Sequence, residues 1–224
     1  QDTGALDRDR VLRLPQDIDR TVAAFTEIVT VSVQALHRFD RFAHARRNVV
    51  GIWGDGNLGY ITSLFFRYMY PDTKLIVFGT DKEKLSSFSF VDETYLVWDV
   101  PETLEIDHAF ECVGGDASQK AINQIIDLIH PEGTISLLGV SEYPIPINTR
   151  MVLEKGLRLF GSSRSSREDF EKTVEMYQEH PEILGYLSNI VGAQVEINSI
   201  ADMNKAFELD IHKMMGKTVM IWKK

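Results

Sequence analysis

The sequence predicts an α/β protein built on a doubly wound parallel sheet with helices on both faces. Three observations carry that reading. Short apolar runs alternate with amphipathic stretches from Asn48 onward, the order of elements that produces a covered parallel sheet. The apolar run Val49-Val50-Gly51-Ile52-Trp53 passes directly into Gly54-Asp55-Gly56-Asn57-Leu58-Gly59 and then into a stretch in which Leu58, Ile61, Leu64, Phe65 and Tyr68 share one helical face. Farther on, Ile122, Ile125, Ile126 and Ile129 keep the i, i+3, i+4, i+7 spacing of a core-facing helix.

Taken in order, residues 11–14 read as a strand that ends at Pro15, and residues 19–38 as a long apolar-rich helix. Strand 48–53 leads to helix 57–70, and strand 74–78 to a short helix at 82–88. A weaker strand follows at 95–97. Strand 108–112 leads to helix 117–130, which Pro131 and Gly133 stop. Strand 134–138, a helix at 149–155, strand 157–160 and helix 167–179 complete the alternation. The tail holds strand-like 190–191 and 219–221 around a helix at 199–208. The expected organisation is therefore a linker over 1–18, the main α/β domain over 19–189, and a C-terminal return segment over 190–224. No repeat or low-complexity segment interrupts it.

Composition narrows the function. The chain has 224 residues, 44% hydrophobic and 25% charged, the balance of a soluble globular protein. A net charge of −9 argues against a general nucleic-acid or membrane-surface role. No apolar run is long enough to span a bilayer and no secretory signal opens the chain, so the cytoplasm is the expected compartment. The single cysteine, Cys112, forbids an intrachain disulfide or an all-cysteine metal cage. The six histidines show no tight metal-binding spacing.

The chemistry lies in the glycine turn. Between a strand and a helix, G-x-G-x-x-G is the dinucleotide-binding fingerprint. Gly54 permits the tight turn, Gly56 lets the backbone approach a pyrophosphate, and Gly59 lets helix and strand pack closely. Asn57 and Leu58 open the helix whose N-terminal amides and dipole suit the phosphates. The plain alternative is a turn that merely needs glycine.

In NAD-binding folds an acidic residue at the end of the second strand holds the ribose 2′-hydroxyl. Here that place falls to Gly79, followed by Thr80, Asp81 and Lys82. Thr80 can donate a hydrogen bond, and Lys82 or Lys84 can supply charge, so NADP is expected rather than NAD. A slip of one or two residues would bring Asp81 to the ribose, and the lysines could instead be a solvated helix face. Cys112, Val113 and Gly114 end a buried strand over the expected cofactor site, with Cys112 read chiefly as a small core hydrophobe. In 162–167 the serines suit a helix cap with Glu168 and Asp169 in the first turn. Arg164 is the better candidate for a phosphate contact.

Several stretches together carry a family resemblance: 24–27, Gly51 through Gly59, 108–115, Leu138 through Pro144, Ile147 through Gly156, and 160–165. The chain resembles the cofactor-binding part of the zinc-dependent medium-chain alcohol dehydrogenases. More narrowly, it is similar to the ribulose-5-phosphate reductases that supply ribitol phosphate for teichoic-acid and capsule synthesis. The likeness runs over nearly the whole chain and implies NADP(H) as cofactor, a sugar phosphate substrate, a homo-oligomer formed through edge strand 157–160, and a ribitol-5-phosphate cytidylyltransferase as partner. It also implies an N-terminal catalytic domain, missing from this sequence, whose cysteine and histidine-glutamate pair hold zinc. In the intact enzyme Glu27 would face that zinc, though it also suits a plain helix surface. No catalytic residue is then expected within these residues, and zinc only in the intact enzyme. Two other readings compete: a non-catalytic dinucleotide-binding module or sensor, and a methyltransferase, whose usual loop has a different glycine spacing.

Overall fold

The computed structural model describes residues 11–212 and 215–222. They divide into two compact units, one over Ala35–Ser163 and one formed by the flanking segments up to Gln34 and from Arg164 onward.

The first unit holds a six-stranded, wholly parallel sheet in the order β3-β2-β1-β4-β5-β6. Its strands are β1 (Val49–Trp53), β2 (Lys74–Gly79), β3 (Glu93–Leu96), β4 (Ile106–Glu111), β5 (Ile129–Leu137) and β6 (Arg158–Gly161). The order reverses at β1, which pairs with β2 on one side (Ile52 opposite Val77) and β4 on the other (Ile52 opposite Phe110). A topological switch point of this kind leaves a crevice at the carboxyl ends of the strands. The expected doubly wound parallel sheet, a Rossmann-type fold, is present.

Both sheet faces are covered, and side-chain alternation along the strands separates them. Gly51 and Trp53 share one face of β1, where Trp53, Phe78, Ala109 and Ile135 join Ile122, Ile125 and Ile126 of α5 (Ser118–Leu128) in one core. On the other face Phe39, from α2 (Thr26–Phe42), meets Phe66 of α3 (Asn57–Met69) and the rings of His108 and Phe110. Each such buried side chain contributes roughly 1.5–3 kcal/mol. The short helices α4 (Lys82–Leu85) and α6 (Thr149–Glu154) complete the connections.

The flanking unit contains α1 (Arg20–Ala23), the first part of α2, α7 (Arg167–Glu179), α8 (Glu182–Ser188), β7 (Val191–Ile197), α9 (Ile200–His212) and β8 (Lys217–Trp222). Strands β7 and β8 form their own parallel pair, with α9 as the crossover. The expected serine cap of α7 is a capping box: the Ser166 N–H donates to the Asp169 carboxylate at 2.7 Å, and the Ser166 hydroxyl accepts from the Asp169 N–H.

Some expectations need correction. Residues 11–14 form no strand, since no described strand pairs with them. The helix expected over 19–38 is two helices, broken at Ala24 and continuing to Phe42. Helix α5 stops at Leu128, and Ile129 already pairs with Ile106 in the sheet, ahead of an irregularity that takes up Pro131 and Gly133. Lys155 makes that early stop possible: its ammonium donates to the carbonyls of Ile126, Asp127 and Ile129 at 2.7–2.9 Å. The tail strand is longer than 190–191, and α8 is additional.

Candidate cofactor site

The site begins where β1 ends. Gly54 has φ +128°, and a Cβ there would lie 2.9 Å from the Cys112 carbonyl oxygen, so only glycine fits. Its N–H donates to the Phe78 carbonyl at 2.8 Å, fixing the turn between β2 and β4. Gly59 lies against the same turn: a Cβ on it would come within 1.9 Å of the Gly54 oxygen. Gly56 differs. It caps α3 in an extended conformation, supplies no side chain to the first-turn amides, and a Cβ on it would meet nothing within 4 Å. The backbone there faces open space at a helix N-terminus, the arrangement that receives a phosphate.

A cavity of about 430 Å³ opens beside this turn. Its apolar wall includes Trp53, stacked on Phe78 at 3.8 Å between ring centroids, together with Val97 and Ala121. The Trp53 indole N–H donates to Gln124 Oε1 at 2.8 Å, and the Gln124 amide donates to the Val97 carbonyl at 2.6 Å, which holds the wall rigid. Gly54, Gly56, Gly79, Thr80, Cys112 and Val113 line the cavity as the sequence suggested. Asn57, Leu58 and Gly59 run behind it as the first turn of α3, and Gly114 follows Val113 with φ +71°.

The loops after β4 and β5 are tied together by Glu111. Its buried carboxylate accepts the N–H groups of Val113 and Gly114 on one oxygen and of Gly139 on the other. Gly139 must be glycine, because a Cβ would meet the Gly114 nitrogen at 2.3 Å. Cys112 is nine-tenths buried, its thiol directed to the Thr62 hydroxyl at 3.7 Å, and burial pushes its pKa up to about 12. It is a protonated, unreactive packing group at working pH.

The end of β2 differs from the simple sequence picture. Asp55 Oδ2 accepts the N–H groups of Thr80 at 2.6 Å and Asp81 at 2.8 Å. The Asp81 carboxylate caps α4 by accepting from the N–H groups of Glu83 and Lys84. Lys82 is exposed at the start of α4 and does not line the cavity. Glu27 and Arg164 belong to the flanking unit. Glu27 is exposed in the first turn of α2, and Arg164 holds a left-handed φ of 62° while its carbonyl accepts from the Gln34 amide at 2.7 Å.

Sequence reasoning missed Asp55, Val97, Lys120 and Gln124, all in the cavity lining. Asp55 stood at a variable position of the motif. Lys120 and Gln124 are one helical turn apart on α5, on the side away from its isoleucines. Among the described residues no group of three His, Cys, Asp or Glu side chains is placed to hold a metal ion, so they do not by themselves make a zinc site.

Comparison with known proteins agrees with the geometry. The zinc-binding dehydrogenase model matches residues 97–179. The ribulose-5-phosphate reductase of Bacillus spizizenii is 52% identical over 214 residues, covering 96% of this chain and 63% of the relative. Ribulose-5-phosphate reductase 1 of Staphylococcus aureus is 52% identical over 222 residues, covering 99% of this chain and 65% of the relative. The chain thus spans just under two thirds of the length of these curated relatives. The crystal structure of S. aureus TarJ in complex with NADPH superposes with a TM-score of 0.94 at 52% identity, covering 98% of this chain and 69% of that one. The chain belongs to the zinc-binding dehydrogenase family.

Proposed function

We propose that this chain is the NADPH-binding part of an enzyme that reduces ribulose 5-phosphate to ribitol 5-phosphate. The observation that carries the reading is the open backbone at Gly56, at the mouth of a glycine-lined cavity and the N-terminus of α3. Its support is the 52% identity to a protein crystallised with NADPH and to reductases named for ribulose 5-phosphate. Bound NADPH would supply the hydride that the substrate carbonyl accepts. The chain's own part is to hold and orient the dinucleotide: Gly56 and the α3 amides toward the pyrophosphate, the Trp53–Phe78 wall toward an aromatic base, and the Glu111-tied loops toward the nicotinamide half.

We assign 19–189 to the dinucleotide-binding domain, with 1–18 and 190–224 as its flanking segments, and the enzyme to the cytoplasm. No described helix is long and apolar enough to cross a membrane. Glu27 is our candidate for a group facing zinc in the whole enzyme. Thr80 and Lys82 are our candidates for the 2′-phosphate, and Arg164, in the flanking unit, is our candidate for a phosphate contact of the cofactor or the substrate. A homo-oligomer and a cytidylyltransferase acting on ribitol 5-phosphate are the partners this reading carries.

Calorimetric titration with NADPH and NADH tests the proposal. A charge-assisted phosphate contact contributes about 1.5–3 kcal/mol, so NADPH is expected to bind roughly tenfold to a hundredfold more tightly. Equal affinities would remove the 2′-phosphate assignment, and no binding of either would remove the function. A non-catalytic sensor would bind cofactor as well. Assay of an enzyme carrying both this part and a zinc-holding domain separates the two readings.

A further inference from the structure

We propose that Asp55 limits the NADPH preference of this site by opposing the 2′-phosphate. The inference rests on the NADPH reading above and adds a residue to it. In this fold the side chain at the end of β2 reaches the adenosine ribose, and an acid there selects the 2′-hydroxyl of NAD. Strand β2 ends in Gly79, which carries no acid. A Cβ on Gly79, however, would lie 2.6 Å from Asp55 Oδ2 and 2.7 Å from Asp55 Cβ. The carboxylate of Asp55 therefore fills the space into which an acidic side chain at 79 would project. The glycine at 79 and the aspartate at 55 are complementary, since any larger residue at 79 would displace that carboxylate. What the strand lacks, the glycine turn supplies.

Asp55 also occupies donors that a phosphate would use. Its Oδ2 takes the N–H groups of Thr80 and Asp81 at 2.6 and 2.8 Å, with the Thr80 hydroxyl 3.4 Å away. Consecutive backbone amides at a turn are a natural anion cradle. Here the cradle already holds an anion belonging to the protein. A 2′-phosphate must share these amides with a carboxylate or displace it, whereas a 2′-hydroxyl can donate to that carboxylate directly. Asp55 thus weakens NADPH relative to NADH, and the preference that remains is the excess of the cationic and hydroxyl contacts over this opposition.

The test is calorimetric titration of the wild-type chain, Asp55→Asn and Asp55→Ser with NADPH and NADH. Asparagine keeps an acceptor for the two amides and removes the charge. Serine leaves both amides to the phosphate. Each variant is expected to raise the NADPH-to-NADH affinity ratio by about tenfold or more, the scale of one charge-assisted contact. An unchanged ratio, or a shift toward NADH, overturns the inference while leaving NADPH binding by the wild type intact. Equal loss of both cofactors, or failure of both variants to fold, assigns Asp55 to holding the turn and also overturns it. Failure of the wild type to bind either dinucleotide would instead remove the reading on which the inference stands.

Discussion

Two glycines of one fingerprint should fail in opposite ways. Gly56 has φ −90° and ψ −174°, open to any L-residue, and a Cβ on it meets nothing within 4 Å. The folding cost of Gly56→Val is then little more than the poorer cap it makes for α3, about 1 kcal/mol. In a chain of this size that lowers the melting temperature by roughly 2–4 °C. The valine nevertheless occupies the space through which a pyrophosphate would approach, and NADPH affinity should fall by about a hundredfold or more, roughly 2.7 kcal/mol. Gly59→Ala reverses the pattern. Its Cβ would sit 1.9 Å from the Gly54 carbonyl oxygen, so α3 must move away from the turn by more than an ångström. Gly54 cannot yield, because its N–H is bound to Phe78 and its Cα is packed on Cys112. Overpacking against backbone of this kind costs about 1–3 kcal/mol or more. Thermal melts and NADPH titrations of both variants check the contrast. Normal binding by Gly56→Val would reduce the fingerprint to a structural turn, and a wild-type melt for Gly59→Ala would refute the packing argument.

Burial and the neighbouring His44 hold the His108 pKa at about 4, against 6.5 for an exposed histidine. The unfolded chain therefore binds the extra proton first, and stability should fall as pH drops from about 6.5 through 4 by up to about 3 kcal/mol, with no contribution above pH 7. His108→Asn retains an acceptor for the Thr134 N–H, now bonded to Nδ1 at 3.1 Å. It should flatten that acid limb in melts across the range, and an unaltered slope would assign it to other groups. β6 lies at the sheet edge with Leu159 and Phe160 only partly buried, so light scattering at high concentration is expected to show a dimer; a strictly monomeric species would count against the edge as an interface. The chain alone should not turn over ribulose 5-phosphate with NADPH, even with added zinc, since its described residues assemble no metal-ligand set. Turnover at a rate comparable with the whole enzyme would place the catalytic groups inside it.

What the sequence made legible, and what it hid, follows from the range of the interactions involved. The strand–turn–helix at 49–69 depends on neighbours in the chain, and the spacing alone gives its three glycines separate tasks. β7 is hard to recognise in full, although Val191, Ala193, Val195 and Ile197 keep the period of two, because glycine, glutamine and glutamate dilute its apolar content. The end of β2 is harder to read. Asp81 is the acid nearest Gly79 in sequence, yet the start of α4 uses its carboxylate as a cap. Asp55 lies 24 residues before Gly79 in the chain and touches it in space. No local pattern encodes that contact; it exists because β1 and β2 are parallel neighbours whose ends point the same way. The same geometry places Lys120 and Gln124 of α5 in the cavity wall. Residues that build an element can be recognised within that element. Residues that line the cavity from several elements are gathered by the switch point of the sheet, so they come together only once the strand order is known.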